Sequence, residues 1–255
     1  MRALCRGPSG VSLADRDPVA PGAGEVRLSI SVAGLCRTDL AVARGERGRP
    51  GVVLGHEAAG IVTEVGAGVA SSLLGRPVAI WPFVDGAQLG VDIDGLFRDE
   101  ACLPQESIHV VADGLDPRVV ASLEPVAAAL AVDDAMSGVP LEEPVVVVGR
   151  NRIAELLARV LESRGRRAVR RAGGAAELDG ERHAVETRPD AAEVSGIIER
   201  MPPGGTLYLK SRGWDRVTLP LHRVVERGIR LQGAYYSRPE AALEIIERDR
   251  VTLFA

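Results

Sequence analysis

The sequence predicts an α/β protein built in two successive parts, a β-rich part and then a parallel sheet covered by helices. Apolar and polar residues alternate across Val26–Val32, which is the period of a strand with one buried face. Further along, Val145–Val148 is a wholly apolar run followed by Gly149, which is typical of a central parallel strand. The change in pattern between these two segments predicts a change in architecture.

Composition limits the possible functions of the chain. Its 255 residues are enough for one large or two small domains, and the net charge of −4 argues against a nucleic-acid partner. The sequence has no apolar run of membrane-spanning length, and its first residues lack an apolar signal core. Three cysteines cannot form a disulfide framework. We therefore expect a protein of the cytoplasm.

The first part is predicted to form a small, partly closed barrel of short strands. Glycine and proline separate four apolar runs, which we interpret as strands: Val26–Val32, Val52–Leu54, Ile61–Val65 and Val78–Trp81. A helical turn is predicted at Thr38–Arg44.

Two segments of this part carry residues that can bind a metal. They read Gly34-Leu-Cys-Arg-Thr-Asp39 and Gly55-His-Glu-Ala-Ala-Gly60. Cys36 and His56 follow predicted strand ends and are too far apart in sequence for a finger-type knuckle, so a folded domain must bring them together. A thiol, an imidazole and carboxylates form the mixed ligand set that zinc uses when one position stays open. Taken singly, a buried structural cysteine or histidine is the alternative for each residue.

The second part opens with the elements of a dinucleotide-binding unit. After Gly149, apolar residues follow the helical period, and strand, glycine turn and helix together form such an opening. The segment reads Gly149-Arg-Asn-Arg-Ile-Ala154, so Asn151 replaces the middle glycine of the usual fingerprint. Either Arg150 and Arg152 add phosphate contacts, or the nucleotide site has decayed. The candidate cofactor-binding residues here are Gly149, Arg150, Asn151, Arg152 and Ile153.

The position that usually selects NAD has a different charge in this chain. About 20 residues after the first glycine, an acid normally holds the adenosine ribose, but the chain has Arg170 and Arg171 near that position. Two arginines suit a 2′-phosphate and hence NADP, although two solvated arginines at a strand end are an equal alternative. Further strands are predicted at Thr206–Lys210 and Ile229–Tyr235, and a helix at Pro239–Arg250.

The metal-binding segments and Leu123-Glu-Pro125 resemble signature stretches of the zinc-dependent medium-chain dehydrogenases/reductases, in the sorbitol and threonine dehydrogenase branch. The resemblance implies a GroES-like β-rich catalytic domain at residues 1–137, with 239–255 returning to it. It also implies a reduced Rossmann-type nucleotide-binding domain at 138–238.

The resemblance also implies roles for individual residues. Catalytic zinc is expected near Cys36, His56 and Glu124, with Glu57 as a ligand or in exchange with water. In addition, Thr38 is expected to pass on the substrate proton, Asp39 to orient His56, and Arg37 to contact the cofactor pyrophosphate.

Three departures from the family accompany this resemblance. Residues 82–103 lack the four cysteines of the family's zinc lobe, so a second, structural zinc is expected to be absent. Asn151 alters the fingerprint, and the chain is expected to be shorter than its relatives.

The function implied is a zinc oxidoreductase that interconverts a small alcohol and a ketone or aldehyde with NADP(H), or with NAD(H). The alternative is a zinc-dependent isomerase, epimerase or lyase that acts on a carbonyl substrate and has a degenerate nucleotide site. A homodimer is expected through the edge strand Ile229–Tyr235.

Overall fold

The computed structural model of the protein describes residues 1–8, 10–17, 19–213 and 216–251. The chain divides into two compact units: one is Met1–Glu124 with Ile246–Ala255, and the other is Pro125–Ile245. The predicted α/β class is confirmed, since a β-rich unit is followed by a unit with a parallel sheet. The domain boundaries at residues 137 and 238 stay predictions.

The first unit is built mainly of antiparallel strands. In chain order they are β1 (Arg2–Gly7), β2 (Gly10–Asp15), β3 (Glu25–Gly34), β4 (Glu57–Val65), β5 (Pro77–Ile80), β6 (Phe83–Val84), β7 (Ala87–Gln88), β8 (Glu100–Pro104) and β9 (Ile108–Val110). The main sheet has the order β8-β3-β4-β5-β9, while β1 pairs with β2 and β6 with β7. Val26 and Leu28 of β3 are fully buried in its core, as their alternation predicts.

One predicted strand in this unit is wrong. The segment Val52–Leu54 is buried, but it forms no strand, and Val53 makes only an isolated bridge with Cys5. Gly51 and Gly55, on either side of it, have positive φ angles of 77° and 95°. These left-handed residues turn the chain at both ends of the apolar run, so the run cannot continue as an extended strand.

The helices of the described residues are short to medium in length. In chain order they are α1 (Arg37–Arg44), α2 (Pro117–Val120), α3 (Leu123–Ala135), α4 (Arg152–Ser163), α5 (Ala191–Arg200), α6 (Leu221–Arg227) and α7 (Pro239–Asp249). Short 3₁₀ turns cover Ser71–Leu73, Gln105–Ser107 and Gly174–Glu177. Within the part of the chain that the structure describes, none of these helices is long and apolar enough to cross a membrane.

The second unit contains a parallel sheet. Its strands are β10 (Val145–Val148), β11 (Ala168–Arg171), β12 (His183–Glu186), β13 (Thr206–Leu209) and β14 (Arg230–Gly233), in the spatial order β11-β10-β12-β13-β14. Val145–Val148 is buried throughout, as expected of a central strand. The chain goes from β10 through α4 to β11, then returns across β10 to β12. The winding direction therefore reverses between β10 and β12, which makes this position the switch point of the sheet.

Candidate functional site

The loop between β3 and α1 is held in shape by Asp39. The backbone N–H of Cys36 donates to Asp39 Oδ2 at 2.8 Å, which closes the first turn of α1 back onto its N-cap residue. Asp39 is 1% exposed even though it carries a carboxylate. A buried acid is stable only when its oxygens are hydrogen-bonded or paired, so its remaining contacts identify its role.

The other carboxylate oxygen of Asp39 fixes His56. Asp39 Oδ1 accepts the Gly55 backbone N–H at 3.1 Å and lies 3.1 Å from His56 Nδ1. With Nδ1–H donating to this carboxylate, the lone pair of the imidazole is on Nε2. Gly55 has a φ of +95°, and a Cβ there would lie 2.4 Å from a ring carbon of Phe97. Only glycine therefore permits this approach of the loop that carries His56.

Three donor atoms converge beside this loop. The ligand atoms of Cys36, His56 and Glu57 lie within 4.8 Å of one another. Glu57 is the first residue of β4, so a rigid strand carries it. His56 Nε2 is buried without a hydrogen-bond partner and lies 3.9 Å from Glu57 Oε1. A buried nitrogen without a partner is costly, and a metal ion bound between these donors would satisfy it.

The charges in this cluster also favour a cation. Burial raises the pKa of Glu57 to about 7, and the negative charge of Glu124 adds to that effect. Burial by itself lowers the pKa of His56, but the hydrogen bond to Asp39, the nearby Cys36 thiol and the charges of Asp39 and Glu124 raise this pKa well above its usual value. The raised pKa values therefore favour protons on Glu57 and His56, where a bound positive ion would instead balance the negative charge. The thiol, imidazole and carboxylate donors fit zinc.

The remaining candidates of the first unit surround this cluster. Glu124 lies in the first turn of α3 and is 4% exposed, and its charge acts on His56 and Glu57 although the compact group of donors does not include it. Thr38 is half-buried and Arg37 is exposed, both in the first turn of α1. The ligand role of Glu124 and the roles of Thr38 and Arg37 stay predictions.

The glycine turn of the second unit is tightly packed. Gly149 has a φ of +136°, and a Cβ there would lie 2.3 Å from Thr187 Oγ1. Thr187 follows β12, is 3% exposed, and donates from Oγ1 to the Val148 carbonyl at 2.7 Å. The turn after β10 is therefore fastened to the loop after β12. Sequence reasoning did not select Thr187, because no local pattern connects it with Gly149.

Asn151 occupies the N-cap position of α4. Its Oδ1 accepts the Ala154 backbone N–H at 2.9 Å. Its Nδ2 donates to the carbonyl and to Oγ1 of Thr187 at 3.0 and 3.1 Å. Asparagine is a preferred N-cap residue, so the capping was predictable from the sequence, whereas the contacts with Thr187 were not.

The contacts of Asn151 determine whether a dinucleotide can bind at the glycine turn of the second unit. A pyrophosphate normally binds to the free N–H groups of this helix N-terminus, at a glycine that lets the backbone approach it. Here the side chain of Asn151 takes up one of these N–H groups and stands at the position of that glycine. In this arrangement the residues do not fit a dinucleotide bound in the fingerprint pose.

The arginines proposed to bind the cofactor lie near the carboxyl ends of β10 and β11. Arg150 donates from Nε to the Ala172 carbonyl at 2.6 Å, just after β11. Arg170 is exposed, whereas Arg171 pairs with Glu181 at 3.0 Å. Arg152 is exposed and Ile153 half-buried at the start of α4. Their roles in cofactor binding stay predictions.

Comparisons with known proteins show what this chain is similar to. The Alcohol dehydrogenase GroES-like domain matches residues 22–113. L-threonine 3-dehydrogenase of Pyrococcus furiosus is 28% identical over 178 residues, which cover 61% of this chain and 51% of that protein. The chain thus spans about half the length of the curated relatives it matches.

Solved structures share the complete fold. A short chain alcohol dehydrogenase (rspB) from Escherichia coli CFT073, in complex with NADH, superposes with a TM-score of 0.87 at 18% identity, over 99% of this chain and 89% of that one. A zinc-binding dehydrogenase candidate from Sinorhizobium meliloti 1021, bound to NADP, gives 0.84 at 21% identity, over 98% and 89%. The predicted GroES-like domain and Rossmann-type parallel sheet are therefore confirmed.

Proposed function

Because the chain belongs to the medium-chain dehydrogenase/reductase superfamily, we propose that it is a zinc-dependent oxidoreductase that interconverts an alcohol and a ketone or aldehyde. The observation that carries this proposal is the buried group of donors from Cys36, His56 and Glu57, with His56 Nε2 lacking a partner. The substrate in this proposal is a small alcohol or carbonyl compound, and the assembly is a homodimer.

Each candidate residue of the first unit has its own role in this proposal. Cys36, His56 and Glu57 would hold the metal, which would supply a Lewis acid for a carbonyl or alkoxide oxygen. Asp39 fixes the ring of His56 through its contact with Nδ1, which would keep Nε2 available to the metal, as metal-bound histidines usually require. Thr38 Oγ1 would accept the proton of the substrate hydroxyl as it releases its own hydroxyl proton towards solvent. Glu124 would contribute negative charge and, together with or in place of Glu57, a ligand oxygen.

The proposed redox partner is NADP. Arg170 and Arg171 stand at the end of β11, where a 2′-phosphate would need positive charge. The test is to incubate the zinc-loaded protein with a panel of small alcohols and either NADP or NAD, and to follow NADPH or NADH formation. If no alcohol supports NADPH or NADH formation, the oxidoreductase proposal fails.

The preference for NADP over NAD can be tested at the two arginines. We expect Arg170→Glu with Arg171→Glu to weaken NADPH binding by on the order of 1–3 kcal/mol, the scale of charged hydrogen bonds, and to leave NADH nearly unchanged. Arg230→Glu is the matched control, since Arg230 is exposed on the opposite edge strand, β14. Equal losses for the two cofactors would contradict recognition of a 2′-phosphate.

A second function is favoured by one specific observation, the hydrogen bonds of Asn151 with Ala154 and Thr187. A chain with its nucleotide crevice closed can still use zinc to polarise a carbonyl while a nearby acid or base moves a proton. The candidate is a zinc-dependent isomerase, epimerase or lyase. It replaces the first proposal if the zinc protein converts a carbonyl substrate while neither NADH nor NADPH binds.

Zinc binding is expected to release protons and to tighten as pH rises. In the metal-free protein the raised pKa values of His56 and Glu57 keep protons on these groups near neutral pH, and zinc requires the deprotonated forms. Lowering the pH through about 7 therefore protonates Glu57 and weakens binding. Calorimetry in buffers of different ionisation enthalpy measures the protons released. Zinc affinity that is constant across this pH range would contradict the assignment of these ligands.

A further inference from the structure

A ligand of the second unit would bind in the crevice at the switch point of the parallel sheet. β10 and β12 are adjacent there, and the chain leaves them in opposite directions. Ligands of open α/β sheets bind in the crevice outside the carboxyl ends of such strands. The two loops that border this crevice begin at Gly149 and at Thr187.

In this chain one side chain bridges the two loops. The amide of Asn151 donates twice to Thr187, at 3.0 and 3.1 Å, and accepts from the Ala154 N–H at 2.9 Å. Thr187 is itself buried and anchored to the carbonyl of Val148 at 2.7 Å. The bridge is therefore attached to rigid elements at both ends.

We infer that Asn151 closes the dinucleotide crevice from within, so that NADH or NADPH binds only after this side chain leaves Thr187 and Ala154. The amide occupies the N–H group and the space that a pyrophosphate would use. A ligand that binds only the opened state has its apparent affinity reduced by the fraction of molecules in that state. This inference rests on the proposed use of a nicotinamide dinucleotide and deepens it, because it identifies the residue that limits binding.

Replacing Asn151 by glycine restores the fingerprint pattern and removes the bridge. Glycine at an N-cap costs helix stability much less than alanine does, so α4 is expected to remain folded. Asn151→Asp is expected to change cofactor binding in the opposite direction. Its carboxylate can still accept from the Ala154 N–H, but its negative charge repels a pyrophosphate. Thr187→Val removes one acceptor of the bridge, while Thr187→Ser keeps the hydroxyl and serves as its control.

The experiment is a titration of NADH and NADPH into the 255-residue chain and these variants in the metal-free state, monitored by calorimetry and by nicotinamide fluorescence. We expect Asn151→Gly to bind at least one of the two cofactors about tenfold or more tightly than the parent, an effect on the scale of the hydrogen bonds released. We expect Asn151→Asp to bind more weakly, Thr187→Val to bind moderately more tightly, and Thr187→Ser to match the parent. Thermal unfolding of each variant verifies that it is folded.

Two outcomes overturn the inference: equal affinities of the parent and Asn151→Gly, or no binding by a folded Asn151→Gly. These outcomes are separable from failure of the proposed function, since binding is measured without metal or substrate. If Asn151→Gly binds tightly but no zinc-loaded form oxidises an alcohol, the inference stands and the oxidoreductase proposal fails. If the parent oxidises alcohols and binds the cofactor as tightly as Asn151→Gly, the proposal stands and the inference fails.

Discussion

The double variant Cys36→Ser with His56→Ala is expected to lose its zinc completely, whereas the parent protein is expected to bind about one zinc per chain. The two residues supply the thiol and the imidazole of the donor group, and Glu57 remains as its only other member. The carboxylate of Glu57, even with the charge of Glu124 acting on it, does not hold zinc against the solvent. Elemental analysis of the dialysed proteins measures the difference, and any zinc-dependent turnover is expected to disappear with the metal.

Cys102→Ser is the matched control for this prediction. Cys102 is also half-buried in the first unit, but its thiol donates to the Val19 carbonyl at 3.0 Å, a contact that serine can keep. This variant is expected to retain zinc. Retention of zinc by the double variant would refute the site, and two zinc ions per parent chain would refute the expected absence of a structural zinc in residues 82–103.

Asp39→Asn is expected to weaken zinc binding by about 10- to 100-fold, the effect of removing a group that orients a metal-bound histidine. Asp39 accepts hydrogen bonds from the backbone N–H groups of Cys36 and Gly55 and from His56. An amide offers one acceptor oxygen and turns an NH₂ group towards at least one of these donors. In either orientation of the amide, the imidazole loses the carboxylate charge that fixes its orientation and tautomer.

The same substitution is expected to destabilise the metal-free protein by about 3 kcal/mol, because buried donors lose a charged acceptor. Denaturant unfolding with and without zinc separates the two effects. Asp113→Asn is the control, since this side chain is 83% exposed and its nearest basic partner, Arg76, lies 3.9 Å away. Equal zinc affinity of Asp39→Asn and the parent would show that Asp39 supports only the loop.

The local sequence pattern was sufficient to predict a strand wherever burial follows the period of that one element. The alternation across Val26–Val32 predicted a strand, and β3 extends it to Glu25–Gly34. The apolar run Val145–Val148 predicted a central parallel strand and is β10. The same rule was wrong at Val52–Leu54, because the positive φ angles of the flanking glycines stop the run from extending. The pairing of β1 with β2 had no distinct sequence signal.

The candidate metal residues came from motif resemblance and residue chemistry, which indicated the donors but not their arrangement. The sequence indicated that Cys36, His56 and Glu57 belong together. It did not indicate that Nε2 of His56 is buried without a partner, or that Glu57 is carried by the first position of a strand. Both features of the site depend on how the rest of the unit packs around the loop that carries His56.

The sequence alone determined the α/β class, the two successive architectures and the candidate metal donors, because each depends on residue types or on periodicity within one segment. Only the tertiary structure decided whether the altered fingerprint leaves an open crevice. The amide of Asn151 bonds to Thr187, 36 positions away, and the two residues meet because β10 and β12 are neighbours in the sheet. A contact between residues so far apart is set by strand order and long-range packing, which no local pattern of side chains contains.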